Sequence, residues 1–174
     1  MNIEERITEG LRRITQTAKD WRNPTRKELA AAQGELGRSD GTPLLHGLAR
    51  AGRLGEAAHL LTSDLLQMTD FWGISVLHIA AQNGCLGQIP PNLLTGRMLA
   101  RQDKRGDTPI HIAAQGKHLD QIPFALLDQA MMEIRDDDHA ARNILAGDRD
   151  FIEANLMRFS EKVRAAFLAE LFSA

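Results

Sequence analysis

A ten-residue motif recurs three times along the chain at a nearly constant spacing, and this periodicity constrains the fold more than any other feature. Residues 105–114 read RGDTPIHIAA, residues 72–81 read WGISVLHIAA, and residues 40–49 read DGTPLLHGLA. The offset from Gly73 to Gly106 is 33 residues, and that from Gly41 to Gly73 is 32. Self-similarity at such a period is typical of folds in which equal units stack on one another.

Further positions recur in the same register, which supports a repeated structural unit rather than an isolated motif. Four features return at intervals of 33 residues. An aspartate recurs as Asp70, Asp103 and Asp136, and a Gln-Ile-Pro tripeptide as Gln88-Ile89-Pro90 and Gln121-Ile122-Pro123. A leucine followed by a helix-capping residue recurs as Leu61-Thr62, Leu94-Thr95 and Leu127-Asp128, and an apolar pair as Leu65-Leu66, Met98-Leu99 and Met131-Met132.

The residue types at the start of the motif predict a tight turn followed by a helix. Ser75 and Thr108 stand where a hydroxyl oxygen can accept a hydrogen bond from a free backbone N–H. Pro109 follows at the first helical position, where its missing N–H is not needed. Gly73 and Gly106 precede the capping residue by two positions, where a tight turn favours positive φ.

The pattern resembles the ankyrin repeat, in which a β-turn, a helix opened by Thr-Pro-Leu-His and a second antiparallel helix form one unit. The resemblance covers residues 38–150 and is strongest at 103–119. It implies an all-α solenoid of about three full repeats plus degenerate units. The histidines of the three motifs match the family's histidines, whose ring nitrogens tie a turn to neighbouring backbone: His46, His78 and His111.

The resemblance also implies that residues 1–174 form one domain. Its parts would be an N-terminal helical cap at 1–37, repeats at 38–150 and a C-terminal capping helix at 151–174. Helical caps are expected because a stacked unit leaves an apolar face uncovered at each end.

Apolar stripes predict helices at both ends of the chain. Residues 2–21 place Ile3, Ile7, Leu11, Ile14, Ala18 and Trp21 on one face, and residues 23–36 form a second predicted helix. Residues 151–172 are predicted to form one long helix with a stripe of Ile152, Leu156, Phe159, Val163, Phe167 and Leu171. These terminal helices either cover the ends of the repeats or bind a partner or a second copy.

Proline limits the second helix of two units. Since proline cannot occupy a helix interior without the loss of a hydrogen bond, these helices should begin at Pro90 and Pro123 and be short. The pairs Met98-Leu99 and Met131-Met132 would then pack in a following turn.

The first and last units are less regular. In the first unit we expect helices at 43–51 and about 54–61. Beyond Asp136, His139 stands where the turn glycine is expected, so residues 136–150 are predicted to form half a unit.

Composition excludes several classes of protein. A net charge of −2 argues against a general nucleic-acid binder. No apolar run approaches the roughly 20 residues of a membrane span, and the N-terminus lacks the pattern of a signal peptide. Cys85 is the single cysteine, so no internal disulfide forms, which fits a reducing compartment such as the cytoplasm.

The resemblance implies where a protein partner would bind. In ankyrin-like stacks, the two residues before the turn glycine and the one after it project from hairpin tips, beside a concave groove lined by the first helices. The matching tip positions are Phe71, Trp72, Ile74, Lys104, Arg105 and Asp107, with Asp137 and Asp138 in the degenerate fourth unit. The matching helix positions are Arg50 and Ala51, Gln82 and Asn83, and Gln115 and Gly116.

Phe71 and Trp72 depart most from what a solvent-exposed tip requires. Large aromatic side chains at a groove centre are typical of binding hot spots. The alternative is that the N-terminal helix or a neighbouring hairpin covers them.

Catalytic and metal chemistry have little support in the sequence. Cys85 and His78 lie at opposite ends of one predicted helix, too far apart for the contact that a Cys-His dyad needs. His111, His118, His139 and the nearby aspartates lack the paired spacing of a metal site. We therefore expect neither a metal nor another cofactor.

These patterns favour a non-catalytic protein-interaction module, such as an inhibitor, an immunity-type protein or an injected bacterial effector. One alternative is a structural protein that homodimerises through its apolar terminal helices; a mass that depends on protein concentration would support it. A second alternative is a metal-dependent or Cys-His enzyme; the detection of bound zinc would support it.

Overall fold

A computed structural model describes residues 44–134 and 138–172, and this part of the chain is all-helical, as predicted. Its nine α-helices are α1 Leu44–Arg50, α2 Ser63–Gln67, α3 Val76–Gln82, α4 Gly96–Leu99, α5 Pro109–Gln115, α6 Phe124–Glu133, α7 Asp138–Gly147, α8 Arg149–Asn155 and α9 Glu161–Phe172. Short 3-10 helices lie at Leu54–Leu60, Leu86–Gln88, Pro91–Leu93, Leu119–Gln121 and Leu156–Arg158. The predicted helices at 2–21 and 23–36 lie outside the described residues.

The helices pack in two rows that follow the sequence repeat. In the first row, α1 packs on α3, α3 on α5 and α5 on α7, while in the second row α4 packs on α6. Helix α9 closes the C-terminal end against α6 and α7. Equivalent apolar residues of the first row are buried: Leu45, Leu77 and Ile110.

Small residues at one repeated position let the first-row helices approach closely. Ala49, Ala81 and Ala114 are fully buried, and Gly147 occupies the same register in α7. A Cβ on Gly147 would lie 2.7 Å from the backbone carbon of Ala114, closer than real contacts allow. The contact between α5 and α7 therefore depends on the absence of a side chain at residue 147.

One histidine in α1 and one in α3 connect these helices to the turn of the next unit. His46 Nε2 lies 2.8 Å from the carbonyl oxygen of Ile74, and His78 Nε2 lies 3.2 Å from that of Asp107. Because a carbonyl oxygen can only accept, the Nε2 atom of each histidine donates. These contacts match those that the sequence resemblance implies for His46 and His78.

The second-row helices were expected to begin at Pro90 and Pro123 and to be short, and each differs in one respect. In the second unit, Pro90 precedes the 3-10 turn Pro91–Leu93, and Thr95 then caps α4 by accepting from Met98 N–H at 3.3 Å. In the third unit the helix begins directly after Pro123, as predicted, but continues for ten residues. The pairs Met98-Leu99 and Met131-Met132 therefore lie within helices and not in following turns. Met98-Leu99 belongs to α4 because Thr95 caps a new helix there, and Met131-Met132 belongs to α6 because that helix continues past Asp128.

The first unit also deviates from its expected second helix. Residues Leu54–Leu60 form a 3-10 helix, and Thr62 begins a further helix, α2, by accepting from Leu65 N–H at 3.3 Å. Its first helix, α1, agrees with the expected span to within one residue at each end.

The predicted single helix at 151–172 is wrong, because the chain breaks between α8 and α9. Phe159 is buried with its ring 4.7 Å from that of Phe124 and 5.3 Å from that of Phe167. Asp128 Oδ1 accepts from Ser160 N–H at 2.9 Å and from Ser160 Oγ–H at 3.0 Å. Burial of Phe159 and this anchor at Ser160 favour an extended backbone at the break over a continuous helix.

The expected tip position of Asp138 is also corrected. Asp138 is the first residue of α7, which starts four residues before the repeat register places a first helix. The glycine that opens the turns of the other units is replaced by His139, so the positive φ of those turns is disfavoured here. Asp137 lies outside the described residues.

Candidate functional site

The hairpin tips of the second and third units are built by one aspartate each. Asp70 Oδ1 accepts from Trp72 N–H at 2.9 Å and from Ile74 N–H at 3.0 Å. Asp103 Oδ1 makes the equivalent bonds to Arg105 N–H at 2.7 Å and to Asp107 N–H at 3.1 Å. Backbone bonds from Asp70 N–H to Ile74 O and from Asp103 N–H to Asp107 O close both turns. The tip backbone is thus held by hydrogen bonds, independently of the side chains at its apex.

The two tips also bond to each other. Lys104 N–H donates to the carbonyl of Trp72 at 3.1 Å. Gly73 has φ of 79°, and a Cβ there would lie 3.3 Å from Lys104 N. The recurring glycine therefore meets two demands at once, a left-handed backbone and a close approach between neighbouring tips.

Phe71 and Trp72 are exposed, so no neighbouring hairpin of the described chain covers them. The N-terminal helix, the other cover considered from the sequence, lies outside the described residues. Phe71 is 77% exposed and Trp72 60% exposed. Their rings form an edge-to-face pair with centroids 5.4 Å apart, and Lys104 Nζ lies 4.1 Å from the centre of the Phe71 ring. The exposed residues Phe71, Trp72, Lys104 and Arg105 of these two adjoining tips are here called the tip surface.

A groove of about 370 Å³ runs beside the tip surface, between the turns and the C-terminal ends of the first-row helices. It is lined by Ile74, His78, Gln82, Asp103, Arg105, Asp107, Ile112, Gln115 and Gly116. The fold therefore brings together six of the residues singled out from the sequence: Ile74, Gln82, Arg105, Asp107, Gln115 and Gly116. Arg50 and Ala51 are not among the residues that line this groove. Asn83 is exposed but lies outside the groove lining, and its side-chain amide donates to the carbonyl of Ile79 at 2.9 Å.

Charged groups at the tips differ in how far they reach solvent. Lys104 and Arg105 are exposed, whereas Asp70, Asp103 and Asp107 are only partly exposed. Within the described residues, the Arg105 guanidinium makes neither a hydrogen bond nor an ion pair, and the Lys104 ammonium contacts only the Phe71 ring. A molecule approaching this surface therefore meets aromatic rings and cationic groups first.

His78 forms part of the groove wall but is committed to structural bonds. Its Nδ1 accepts from Ser75 N–H at 3.1 Å and lies 2.7 Å from Ser75 Oγ, while Nε2 donates to Asp107 O. This arrangement fits the neutral ring, because a proton on Nδ1 would face the N–H of Ser75. Burial lowers the pKa of His78 below its ordinary value, although the Asp107 carbonyl acts in the opposite direction.

Cys85 and His78 do not form a dyad. The thiol of Cys85 is buried and donates to the carbonyl of Ala49 at 3.5 Å, and burial raises the pKa of that thiol. A thiol held in its neutral form is a poor nucleophile. In the described part of the chain, no three His, Cys, Asp or Glu residues lie close enough together to hold a metal ion.

Sequence reasoning missed some of the groove lining and a second, larger cavity. The missed groove residues are His78, Asp103 and Ile112, which the motif had assigned only to the fold. The second cavity, of about 890 Å³, lies by the second-row helices and is lined by Ser63, Gln67, Thr95, Arg97, Met98, Ala100, Arg101 and Glu133. No motif marks that cavity, because its residues come from loops and helix ends that only packing brings together.

A scan against protein-family models gives no match for this chain, and a search of curated proteins gives no significant match either. The helices of the described ranges include none with both the length and the apolar character needed to cross a bilayer.

Proposed function

We propose that this chain is an ankyrin-like repeat domain that binds a protein partner, without catalysis, through the tip surface and the adjacent groove. The repeat assignment is supported by the equivalent turns of the second and third units, which Asp70 and Asp103 close. Equivalent histidine contacts also join the first unit to the second, at His46, and the second to the third, at His78. The packing of equivalent helices at intervals of 33 residues supports it as well.

The observation that carries the binding proposal is the exposure of Phe71 and Trp72 on a tip whose backbone is closed by hydrogen bonds. Both side chains point away from the core, yet the backbone beneath them is closed by hydrogen bonds to Asp70 and Lys104. Aromatic side chains have only two rotatable bonds, so they lose little conformational entropy when a partner covers them. Such residues are enriched among those whose truncation weakens binding by about 2 kcal/mol or more.

The non-catalytic part of the proposal rests on the two residues that could have carried nucleophilic chemistry. His78 uses both ring nitrogens in structural contacts, and the Cys85 thiol is buried against backbone. Neither presents a reactive atom to the groove.

Capture from a lysate of the source organism tests the proposal, with immobilised wild type beside a Phe71→Ala, Trp72→Ala double variant. A matched control is Met157→Ala, Phe172→Ala, which removes apolar side chains of similar exposure (79% and 84%) from other elements of the chain. We expect a specific protein to be retained by wild type and by the control, and to be lost by the tip variant. Equal retention by all three proteins would contradict the proposed site.

Homodimerisation is the second candidate, because Met157 and Phe172 are the most exposed large apolar side chains in the described residues. Sedimentation of the wild type over a range of concentrations distinguishes the two functions. A mass that doubles with concentration, and no longer does so in the Met157→Ala, Phe172→Ala control, would favour assembly over partner binding.

A further inference from the structure

We propose that the partner segment is acidic and amphipathic: a carboxylate binds Arg105, and a large apolar side chain within about three residues of it packs on Phe71 and Trp72. This inference rests on the proposed function and specifies the chemistry of its partner.

The charge of the partner follows from which ionic groups are accessible. Arg105 presents a guanidinium with no hydrogen bond or ion pair among the described residues, and it lies on the wall of the groove. Guanidinium groups bind carboxylates with two parallel hydrogen bonds, which provides both affinity and orientation. The exposed Lys104 ammonium adds a second positive charge beside it.

The nearby carboxylates do not offer an equivalent site for a basic partner. Asp70 and Asp103 each direct one oxygen into their own turn, where it accepts two backbone N–H groups. The Asp107 side chain is only partly exposed. Arg105 and Lys104 are more exposed than these three carboxylates, so an approaching segment meets the cationic groups first.

The apolar requirement and the spacing follow from the contact between the two tips. The bond from Lys104 N–H to Trp72 O places the two backbones at a distance similar to that of paired strands, about 5 Å. Arg105 is one residue further along its tip. An extended segment advances about 3.3 Å per residue, so two or three residues of it match the backbone separation between Trp72 and Arg105.

The groove provides polar partners for the backbone of such a segment. Gln82 and Gln115 occupy equivalent positions in α3 and α5, line the groove and are exposed. No hydrogen bond involves their side-chain amides within the described ranges. Each amide both donates and accepts, so the pair can bond the N–H and C=O groups of an extended chain.

A displayed library of random twelve-residue peptides is the probe. It is selected in parallel on wild type, on Phe71→Ala, Trp72→Ala and on Arg105→Glu. We expect wild type to enrich peptides with Asp or Glu within three residues of Trp, Phe, Leu or Met. Arg105→Glu should enrich Lys or Arg at the acidic position, and the aromatic variant should enrich neither group.

A synthetic peptide from the wild-type selection then tests the contact directly. Arg105→Glu should weaken its binding at least tenfold, and replacement of the peptide's acid by Lys should recover most of the loss on that variant. Binding of the original pair should weaken as sodium chloride is raised from 50 to 500 mM, because the partner charges are screened.

Each other result overturns the inference. Enrichment that depends on Phe71 and Trp72 but shows no acidic preference, or an unchanged preference with Arg105→Glu, refutes the acidic partner and leaves the proposed function standing. Peptide enrichment that is the same on wild type and on Phe71→Ala, Trp72→Ala refutes both the acidic partner and the proposed function. Self-association lost on Phe71→Ala, Trp72→Ala, or sedimentation with anionic phospholipid vesicles lost on that variant, would assign the tip surface to another occupant and refute the inference.

Discussion

The N–H of Lys104 donates to the carbonyl of Trp72 at 3.1 Å, so a backbone hydrogen bond joins the hairpin tips of two sequence units. This bond explains how the chain can expose two aromatic side chains without losing order at their positions. It also makes the tip side chains and the tip backbone separable by mutation, and the first two predictions use that separation.

Truncation of the aromatic pair should leave folding stability nearly unchanged. We expect Phe71→Ala, Trp72→Ala to lower the free energy of unfolding by less than about 1 kcal/mol, because only an exposed ring pair and a cation–π contact are lost. Urea unfolding followed by circular dichroism measures this. Leu77→Ala is the contrast: its side chain is 1% exposed, so the expected loss is about 2–5 kcal/mol. Equal losses in the two variants would show that the aromatic rings belong to the core.

A methyl group at Gly73 should destabilise the protein although that residue contributes no side-chain contact. Gly73→Ala places a Cβ on a backbone with φ of 79° and 3.3 Å from Lys104 N. We expect a loss of about 1–2 kcal/mol in the free energy of unfolding, since a left-handed backbone is unfavourable for residues with a Cβ. The same urea measurement applies, and a variant as stable as wild type would mean that the turn relaxes to another conformation.

Two glycine-to-alanine changes in helices should have opposite effects. At Gly47, within α1, a Cβ meets nothing within 4 Å, so Gly47→Ala should stabilise the chain by about 0.5–1 kcal/mol. At Gly147 the added Cβ would lie 2.7 Å from the backbone of Ala114, so Gly147→Ala should destabilise by about 1–3 kcal/mol. Thermal unfolding of both variants beside wild type gives the two signs. The same sign at both positions would contradict the packing of α7 on α5.

Acid should destabilise the fold through its buried histidines. Burial lowers the pKa of His46 and of His78 in the folded chain. The unfolded chain therefore binds more protons as the pH drops, so the stability that these groups contribute is complete above about pH 6.5 and is lost as pH falls through their lowered pKa values. Nearby Asp70 and Asp103 favour the charged rings, but burial is the larger effect.

Urea unfolding at pH 7.5, 6.5 and 5.5 measures this dependence, in a range where most carboxylates remain ionised. We expect a smaller difference between pH 7.5 and 5.5 in His78→Gln than in wild type. If the free energy of unfolding of wild type stays constant or increases as the pH falls from 7.5 to 5.5, the assignment of the histidines as neutral is refuted.

Much of the local structure was predictable because it depends on residue types with few options. The turn glycines Gly73 and Gly106 both have positive φ, as the motif predicted. Thr108 caps α5, and Pro109 is the first residue of that helix, also as predicted. Exposure of Phe71 and Trp72 was not predictable, since a motif position does not reveal whether another segment covers it.

The errors concern places where one element depends on a distant one. The break before α9 follows from the anchoring of Ser160 by Asp128, 32 residues away. The continuous α6 and the interrupted α4 differ although their sequences share a register. Sequence periodicity predicts the apolar face of a helix, but it does not identify the distant residues whose contacts end the helix.

The sequence alone determined the repeated turn, the helix starts and the all-α class, because positive φ, capping and proline geometry act within a few residues. Tertiary structure decided where helices end, which side chains reach solvent and which line the groove. Those outcomes depend on contacts between residues about 30 positions apart, whose geometry exists only when the two rows of helices have packed.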